Sequence, residues 1–433
     1  MTLNIRSFRR FLATMTVAVF TLAACSADEN GSTSVATTVD AGVATTLDAG
    51  LPINTVEGVA SVPAVSLPEK VVVEQAVESE VEDTPSGLAA ARGGNGDGLP
   101  EPLVPLSELR SGGPPPDGIP PIDDPKFIPV ADVDFLAENE PVMAVDVGGD
   151  ARAYPVQILI WHEIVNDTVG GVPLAVTYCP LCNSALAFER TVDERVLSFG
   201  TSGRLYLSNL VMYDRQTESL WPQAEGRAVA GVLTGTELDR LPVALLPWGQ
   251  FRDGFPDALV LSRDTGTTRD YGRNPYLGYD DVEASPFLFR GEVDPRLPAM
   301  ARVVGLGDPG DPVAVRTDEL LARAVVELEV AGEPVVVLGA PGQASALDTR
   351  EIADGADVGT TGVFSARLDG RTLSLRPGEA PGEFVDDVTG STWDVQGRAV
   401  AGPEAGRALG RLPSTDTFWF SWQSFWPETA LEP

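Results

Sequence analysis

The sequence predicts a strand-rich α+β fold, built as two tandem related units that form one compact body behind a disordered linker. Short apolar runs punctuated by Gly and Pro recur from about residue 101 onward, a pattern that is typical of many short strands. Segments of the first half return in the second half at a nearly constant spacing. Upstream of residue 101 the chain is acidic and nearly free of aromatic side chains.

The first 24 residues are predicted to be a lipoprotein signal peptide. Three arginines precede an apolar stretch over residues 11–24, which is too short to cross about 30 Å of hydrocarbon as a helix. The tetrapeptide LAAC at residues 22–25 is similar to a bacterial lipobox, which implies cleavage before Cys25 and lipidation of its thiol. The alternative is an ordinary secretory signal with Cys25 incidental. We expect an exported protein anchored to the outer face of the cytoplasmic membrane through lipidated Cys25.

Residues 25–110 are predicted to be an acidic disordered tether. Between residues 26 and 100 twelve acidic side chains stand against two basic ones. Such a segment buries too little apolar surface to offset the entropy of ordering it. As a flexible chain it would have a root-mean-square reach of about 45–50 Å.

The formal net charge of −33 limits the classes of partner. Nucleic acid is excluded because phosphate binding requires clustered Lys and Arg. Adhesion to anionic headgroups is disfavoured for the same reason, so the membrane is expected as a partner only through the N-terminal lipid. The substrate or protein partner stays unidentified.

Self-comparison predicts an internal duplication, with a first repeat over residues 111–300 and a second over residues 301–433. Residues 142–145 return as residues 303–306, and residues 171–176 return as residues 332–337, both 161 positions later. Farther along, the hexapeptide GRAVAG occurs twice. An identical hexapeptide after matched tryptophans is hard to explain by chance.

The second repeat lacks the cysteines and the histidine of the first. At the 161-residue spacing, Cys179 and Cys182 align with Ala340 and Gln343, and His162 aligns with Arg323. If the thiols were needed only to hold the fold, a second copy of similar build would need them too. The first repeat is therefore the expected site of chemistry, with the second as a structural or lid-forming partner.

Periodicity predicts one helix and several strands around these residues. Residues 156–165 follow a proline and place Ile158, His162 and Val165 on one helical face. Residues 173–178 form a candidate strand that delivers Cys179 at its end. Further strands are expected at residues 185–188, 196–199, 207–213, 228–233 and 258–261.

The motif Cys179-Pro180-Leu181-Cys182 is the expected catalytic site, and three kinds of chemistry are open to it. It can form a small structural disulfide, act as a redox dithiol or bind a soft metal through two thiolates. A disulfide that closes so short a loop stabilises little, and a proline after the first cysteine also fits reactive sites. In the redox version Cys179 attacks and Cys182 resolves.

His162 and a few other side chains extend this site. His162 is a core histidine, a third metal ligand or a neighbour that lowers a thiol pKa. With Met212 as the fourth ligand the two thiolates and His162 would suit Cu(I), and with Glu163 or Asp214 they could suit zinc. A Cys₂His₂ zinc site is excluded because the chain has one histidine, and c-type haem attachment because none follows the second cysteine.

Four residues are candidates for lining a pocket: Glu163, Asp214, Arg215 and Tyr276. Buried polar networks and glycine-punctuated loops are the alternative explanation for them. No nucleophile elbow, phosphate-binding loop or dinucleotide fingerprint occurs, so no enzyme class is predicted.

Several long motifs of this chain are similar to those of the bacterial and archaeal family called domain of unknown function 3179. They are residues 154–155, 161–167, 177–185, 199–203, 208–215, 274–276 and 418–422. The resemblance covers roughly residues 115 to 433. The resemblance implies an exported or membrane-tethered protein, and it implies no particular activity.

The sequence thus leaves two hypotheses of different classes. The first is a lipid-anchored extracytoplasmic protein that uses Cys179 and Cys182, with His162 adjacent, for thiol redox or for handling copper or zinc. The second is a non-catalytic extracellular ligand-binding module in which the two cysteines form a small structural disulfide.

Overall fold

Antiparallel hairpins of short strands dominate this protein. The computed structural model describes residues 98–307 and 310–432. Within these residues lie 28 strands and four α-helices, so the predicted strand-rich α+β class is confirmed. All of them belong to one compact unit. None of the four helices has the length and hydrophobicity that a membrane crossing requires.

The strands are short and occur in two series. Those up to residue 261 are β1 (Arg110–Ser111), β2 (Phe127–Pro129), β3 (Pro141–Val147), β4 (Asp150–Pro155), β5 (Ile164–Val169), β6 (Val172–Cys179), β7 (Ser184–Glu189), β8 (Thr191–Val192), β9 (Arg195–Val196), β10 (Phe199–Tyr206), β11 (Asn209–Asp214), β12 (Leu220–Pro222), β13 (Arg240–Leu241), β14 (Ala244–Pro247) and β15 (Leu259–Leu261). Those from residue 302 are β16 (Arg302–Leu306), β17 (Val313–Arg316), β18 (Val325–Val330), β19 (Glu333–Ala340), β20 (Thr360–Ser365), β21 (Arg367–Leu368), β22 (Arg371–Thr372), β23 (Leu375–Pro377), β24 (Glu383–Asp386), β25 (Thr392–Asp394), β26 (Ala399–Ala401), β27 (Ser414–Phe418) and β28 (Ala430–Glu432).

Each α-helix has seven residues and begins directly after a strand. The four are α1 (Val156–His162), α2 (Trp248–Gly254), α3 (Thr317–Arg323) and α4 (Trp419–Phe425). Single turns of 3₁₀ helix lie at Leu106–Glu108, Val130–Asp132 and Ile352–Asp354.

The strands of the first series form one five-stranded sheet, two four-stranded sheets and a two-stranded ribbon. Their strand orders are β14-β3-β4-β15-β2, β13-β7-β6-β5, β1-β10-β11-β12 and β8-β9. The second series forms sheets of order β27-β16-β17-β28, β18-β19-β20 and β23-β24-β25-β26, with the ribbon β21-β22. Paired strands are antiparallel except β4 with β15 and β17 with β28.

The largest apolar cluster joins the two series. It contains Cys179 and Cys182 together with Tyr154 and Phe199 of the first series, and Phe418 with neighbours of the second. Burying one such aromatic or aliphatic side chain stabilises a fold by about 1.5–3 kcal/mol. The cysteine hairpin therefore lies in the core that holds the whole body together.

The predicted helix over residues 156–165 is correct at its start and too long at its end. It begins after Pro155, as expected, but ends at His162. Glu163 takes a left-handed conformation (φ 59°), and Ile164 then begins β5. Ile158 and His162 share the helix, whereas Val165 pairs with Val176 in a sheet.

Three predicted strands match the structure closely, and three do not. Residues 173–178 lie within β6, residues 185–188 lie within β7, and β15 starts one residue after the predicted start at 258. The strand predicted at residues 207–213 starts at Asn209, because Leu207 and Ser208 form a turn with positive φ. Residues 196–199 straddle the gap between β9 and β10, and residues 228–233 contain one isolated bridge, between Ala230 and Leu220.

A long irregular stretch, residues 262–301, connects the two series and is called the covering segment below. It contains neither helix nor strand. An irregular connection of this length is uncommon in a compact domain, where such segments are usually either functional or linkers. Tyr271, Tyr276, Tyr279 and Phe289 of this segment pack against the main core.

Several predictions fall outside the described residues. They are the signal peptide over residues 1–24, the lipidation site at Cys25 and the tether up to residue 97. Residues 98–110, the end of the predicted tether, pack on the body: Leu109 is buried, and the Leu103 amide donates to the Val229 carbonyl (2.8 Å).

Candidate functional site

The cysteine motif lies in the turn of the β6–β7 hairpin. Cys179 is the last residue of β6 and pairs with Ser184, the first residue of β7. The Cys182 amide donates to the Cys179 carbonyl (3.2 Å), and the Asn183 amide donates to the Pro180 carbonyl (3.2 Å). Asn183 closes the turn in a left-handed conformation (φ 52°), which Asn tolerates better than most residues. The tight turn brings both sulfurs to one place.

Both cysteines are free and buried. Cys179 is 1% exposed and Cys182 is fully buried. The Cys179 thiol donates a hydrogen bond to the Cys182 sulfur. The two sulfurs therefore form a hydrogen-bonded dithiol beneath the protein surface.

The two sulfurs have different surroundings, and Cys182 is the more acidic. Burial alone raises the pKa of Cys182, but hydrogen bonds from Cys179, Ser421 and Asn209 outweigh it and bring that pKa below its ordinary value. The Asn209 amide nitrogen lies 3.4 Å from the Cys182 sulfur. The Ser208 carbonyl oxygen, 3.6 Å from the same sulfur, accepts from it when it is protonated.

Cys179 retains its proton far more strongly. Burial raises the pKa of Cys179 well above its ordinary value, and donation to Cys182 raises it further. The Leu210 amide donates to the Cys179 sulfur (3.4 Å) and opposes this shift only weakly. Of the two thiols, Cys182 is therefore the one whose surroundings favour the thiolate.

Glu163 is a buried carboxyl group beside Cys179. The backbone carbonyl oxygen of Glu163 accepts from the Tyr178 amide (2.8 Å), which holds Glu163 next to the end of β6. Within the described chain its side chain has no hydrogen-bonding partner and is 7% exposed. Burial raises the pKa of Glu163 well above its ordinary value, with a further contribution from Cys179. The surroundings of Glu163 thus favour its protonated form, as those of the neighbouring Cys179 do.

Tyrosines of the covering segment close the site. The Tyr279 hydroxyl donates to the Leu181 carbonyl (3.1 Å), inside the cysteine turn. Burial raises the pKa of both Tyr276 and Tyr279, so both are neutral, and the charges of Glu163 and Cys179 raise the pKa of Tyr276 further. Tyr276 therefore lies close to the carboxyl and thiol groups.

The second series of strands completes the site. The Cys182 carbonyl accepts two hydrogen bonds, from the Phe418 amide (3.0 Å) and from the Thr417 hydroxyl (2.8 Å), both of β27. Helix α4 then supplies the Ser421 hydroxyl to the Cys182 sulfur. The cysteine hairpin is fixed from both halves of the chain.

His162 makes its hydrogen bonds away from the sulfurs. Its Nδ1 pairs with the Pro120 carbonyl (2.7 Å) and its Nε2 with the Tyr271 hydroxyl (2.6 Å). Burial lowers the pKa of His162, which favours the neutral ring. Both nitrogens are occupied, so in this arrangement neither is directed to a metal on the cysteines.

Met212 shares the main core cluster with both cysteines. It lies on β11, between Thr201 and Trp221 of the neighbouring strands. Among residues 98–307 and 310–432, no three His, Cys, Asp or Glu side chains lie close enough together to hold a metal ion.

A comparison with protein families gives one match. The model of the family described as "Protein of unknown function (DUF3179)" matches residues 116–429. This chain belongs to the DUF3179 family. Searches of curated proteins and of solved structures found no match. The match spans the cysteine hairpin, the covering segment and α4 of this DUF3179 chain.

The four predicted pocket residues divide into two pairs. Glu163 and Tyr276 lie near enough to Cys179 for its charge to raise the pKa of both. Asp214 is fully buried and accepts from the Thr217 amide (2.7 Å) and hydroxyl (2.8 Å) and from the Trp221 indole (3.1 Å).

Arg215 is likewise engaged in the scaffold. It forms ion pairs with Asp117 (3.3 Å) and Asp123 (3.0 Å) and donates to the Ser198 hydroxyl (2.6 Å). Asp214 and Arg215 thus serve the architecture around the site.

Sequence reasoning missed the donors to Cys182. Asn209 and Ser421 lie 27 and 239 positions from it in the chain, and neither belongs to a recognisable catalytic pattern. Both fall inside the segments that resemble the family, which is the one signal that could have singled them out.

Proposed function

We propose that Cys179 and Cys182 form a thiol–disulfide exchange site on an extracytoplasmic protein. The observation that carries this proposal is the asymmetric dithiol: one sulfur surrounded by hydrogen-bond donors, the other beside a buried carboxyl group. A static disulfide would need neither the donors nor the carboxyl group. Thiolate character at one of two paired cysteines is what exchange chemistry requires.

The reaction begins at Cys182. Its thiolate attacks a disulfide, forms a mixed disulfide and releases the first substrate thiolate. Cys179 then attacks the Cys182 sulfur, and its proton passes to the second substrate thiolate as that thiolate leaves. Two electrons pass from the protein to the substrate, and the protein gains one disulfide. This order reverses the roles predicted from the sequence, where Cys179 attacks first.

Burial sets a condition on this reaction. Neither sulfur is accessible as the chain is folded, so the covering segment must move to admit a substrate. Over the cysteine turn the Tyr279 hydroxyl donates to the Leu181 carbonyl, and the Ser208 hydroxyl donates to the Phe287 carbonyl. The Gly278 and Tyr279 amides also donate to the Asp348 and Leu347 carbonyls, which anchors the segment beside the turn. The segment has no strand or helix that would have to unfold.

The metal version of the hypothesis has less support than the redox version. Its third ligand would be His162, whose two nitrogens already pair with Pro120 and Tyr271. Copper or zinc binding by the two thiolates would require that ring to give up one of these hydrogen bonds.

Trapping the mixed disulfide tests the redox proposal. In a full-length chain with Cys25→Ser, which removes the third thiol, Cys179→Ser should accumulate a mixed disulfide at Cys182 with a small disulfide reagent. Cys182→Ser should react at least about tenfold more slowly at neutral pH, since about 1.4 kcal/mol of thiolate stabilisation corresponds to tenfold in rate. Mass spectrometry of the folded proteins measures both. Failure of both variants to react until they unfold would leave the ligand-binding module as the better hypothesis.

We also propose that the two strand series arose by duplication, with the second repeat starting near residue 301. The succession β3–β4–α1–β5–β6–β7 is paralleled by β16–β17–α3–β18–β19–β20. Asp386 accepts from Thr389 and the Trp393 indole (2.9 Å) as Asp214 does from Thr217 and Trp221. Ala324 ends α3 in the left-handed conformation that Glu163 takes after α1.

We propose that Cys25 carries the lipid anchor and that residues 26–97 form the tether. The LAAC tetrapeptide and the arginines before it support this. Cys25→Ser should abolish incorporation of labelled fatty acid and move the protein from the membrane fraction to the soluble exported fraction. Retention of label by that variant would contradict the anchor.

A further inference from the structure

A cavity of about 250 Å³ adjoins the cysteine site. Strands and turns of the first series form one wall, with Leu205, Tyr206 and Ser208, and the covering segment forms the other, with Leu288 and Arg290. Glu108, Arg110, Leu207 and Gly291 complete the lining. The cavity therefore opens at the boundary between the body and the segment that must move.

Ser208 connects the cavity to Cys182. It lines the cavity and is itself 2% exposed, and its carbonyl oxygen lies 3.6 Å from the Cys182 sulfur. Its hydroxyl donates to the Phe287 carbonyl of the covering segment. One residue thus touches the cavity, the sulfur and the segment above them, so separating Ser208 from Phe287 would open the cavity toward Cys182.

Two arginines give the cavity its charge. Arg110 and Arg290 have no ion pair and no side-chain hydrogen bond within the described part of the chain, whereas most of its other arginines have one or the other. Glu108 supplies the one carboxylate of the lining, so within the lining itself positive side chains outnumber negative ones by two to one. In a chain of net charge −33 this local excess favours an anion at this place.

The rest of the lining is apolar or aromatic. Leu205, Leu288 and the ring of Tyr206 share the lining with the arginines and Ser208. Tyr206 also packs edge-on against Phe425 of α4, with ring centroids 5.8 Å apart. Guanidinium groups pair with carboxylates in bidentate geometry. A ligand with a carboxylate and a less polar portion matches such a lining.

We propose that this cavity binds the carboxylate-bearing end of a thiol or disulfide compound and presents its sulfur to Cys182. This inference rests on the proposed redox function and names its substrate class. Binding is expected to involve Arg110 and Arg290 on the carboxylate, with Leu288 moving as the covering segment opens. Exchange then proceeds as described, with two electrons passing from the dithiol to the substrate disulfide.

Three disulfides of different charge test the proposal. Glutathione disulfide is anionic, hydroxyethyl disulfide is neutral and cystamine is cationic. Each is mixed with the reduced full-length Cys25→Ser chain at constant ionic strength, and rates are divided by those for dithiothreitol to remove intrinsic reactivity. We expect the corrected rate for glutathione disulfide to exceed that for cystamine about tenfold, which corresponds to about 1.4 kcal/mol.

The double variant Arg110→Ala/Arg290→Ala should lose this preference. Its rate with glutathione disulfide should fall about tenfold, while its rate with hydroxyethyl disulfide stays within about twofold of the parent. Arg195→Ala is the control for the loss of one positive charge elsewhere and is compared with Arg110→Ala and Arg290→Ala made singly, because Arg195 is an exposed arginine of β9 without an ion pair in the described residues. Equal corrected rates for the three reagents, or an equal effect of Arg195→Ala, would overturn the proposal.

Binding of a ligand that cannot react separates this proposal from the redox function. S-methylglutathione has the same carboxylates and no free thiol, and calorimetry measures its affinity. Binding that weakens at least about fivefold in the arginine double variant supports the cavity even if the dithiol reacts with no disulfide. Equal binding by both proteins overturns the cavity proposal, even if the dithiol is redox-active.

Discussion

Two cysteines with nearly equal burial differ in acidity because their hydrogen bonds differ. Burial disfavours both thiolates, but a hydrogen bond to a charged group contributes about 1.5–3 kcal/mol. Cys182 accepts from the side chains of Asn209, Ser421 and Cys179, whereas Cys179 accepts from the backbone amides of Leu210 and Cys182. The sequence predicted the pair and the neighbouring Glu163. It could not predict Ser421, since only the tertiary fold brings α4 to the cysteine hairpin.

Ser421→Ala tests the donor network. Loss of this hydroxyl removes one hydrogen bond to the Cys182 thiolate, so the rate of reaction of the dithiol with a small disulfide at neutral pH should fall about tenfold. Ser424→Ala is the control, because Ser424 lies on the same helix and donates to the Phe420 carbonyl (2.6 Å) instead. An unchanged rate in Ser421→Ala would mean that this serine does not support the thiolate.

Glu163→Gln tests the buried carboxyl group through stability. Because burial raises the pKa of Glu163, the folded chain holds this proton more tightly than the unfolded chain. The contribution of Glu163 to stability is therefore full below its unfolded pKa, near 4.5, and is lost as pH rises toward the folded pKa.

Folding at pH 7 requires Glu163 either to bury a negative charge or to take up a proton, and glutamine requires neither. Glu163→Gln should therefore increase the free energy of unfolding at pH 7 by about 1–3 kcal/mol. At pH 4 it should bring no gain. Denaturant unfolding at the two pH values measures this. A variant that is less stable than the parent at pH 7 would show that the carboxylate is stabilised in the fold.

Among the helices and strands, the sequence prediction is correct where hydrophobic periodicity and turn residues agree, and it is wrong where the backbone conformation changes within a periodic run. Strands β6 and β7 were predicted because both are continuous apolar runs bounded by turn residues. Helix α1 was predicted to continue past Glu163, because its hydrophobic period continues into residues that in fact form β5. Hydrophobic periodicity gives no signal for the left-handed conformation of Glu163, after which the spacing changes from helix to strand.

The two GRAVAG segments give a prediction about these elements. Gly226 and Gly397 both have positive φ (64° and 75°), and a Cβ on either would lie 2.5 Å from a buried ring, of Phe188 and Phe364 respectively. Gly226→Ala and Gly397→Ala should each lower the free energy of unfolding by about 2–4 kcal/mol.

Gly235→Ala is the control for backbone strain alone. Gly235 also has positive φ (91°), but a Cβ there meets nothing within 4 Å, so the cost should be about 1 kcal/mol. Chemical denaturation of the three variants measures the difference. Equal costs at all three positions would refute close packing of the glycines against the phenylalanines.

In the whole molecule, the second series of strands helps to hold the cysteine hairpin, a role that could not be predicted from a segment without cysteines. Thr417, Phe418 and Ser421 fix the cysteine hairpin, although their half contains no thiol and no histidine. Sequence comparison predicted a structural or lid-forming partner. The covering segment, which closes the site, instead precedes the second series, and its irregular backbone carries no periodic signal from which its position could have been predicted.

The measurement that tests the central claim most directly is a redox titration of Cys179 and Cys182 in the folded protein. The full-length Cys25→Ser chain is equilibrated in glutathione buffers of graded potential, the thiols are trapped by acid and alkylated, and circular dichroism confirms that the fold persists. We predict a reversible two-electron transition between the dithiol and the disulfide, reached from either direction. Thiols that stay reduced at every potential until the protein unfolds would contradict a redox role for this site.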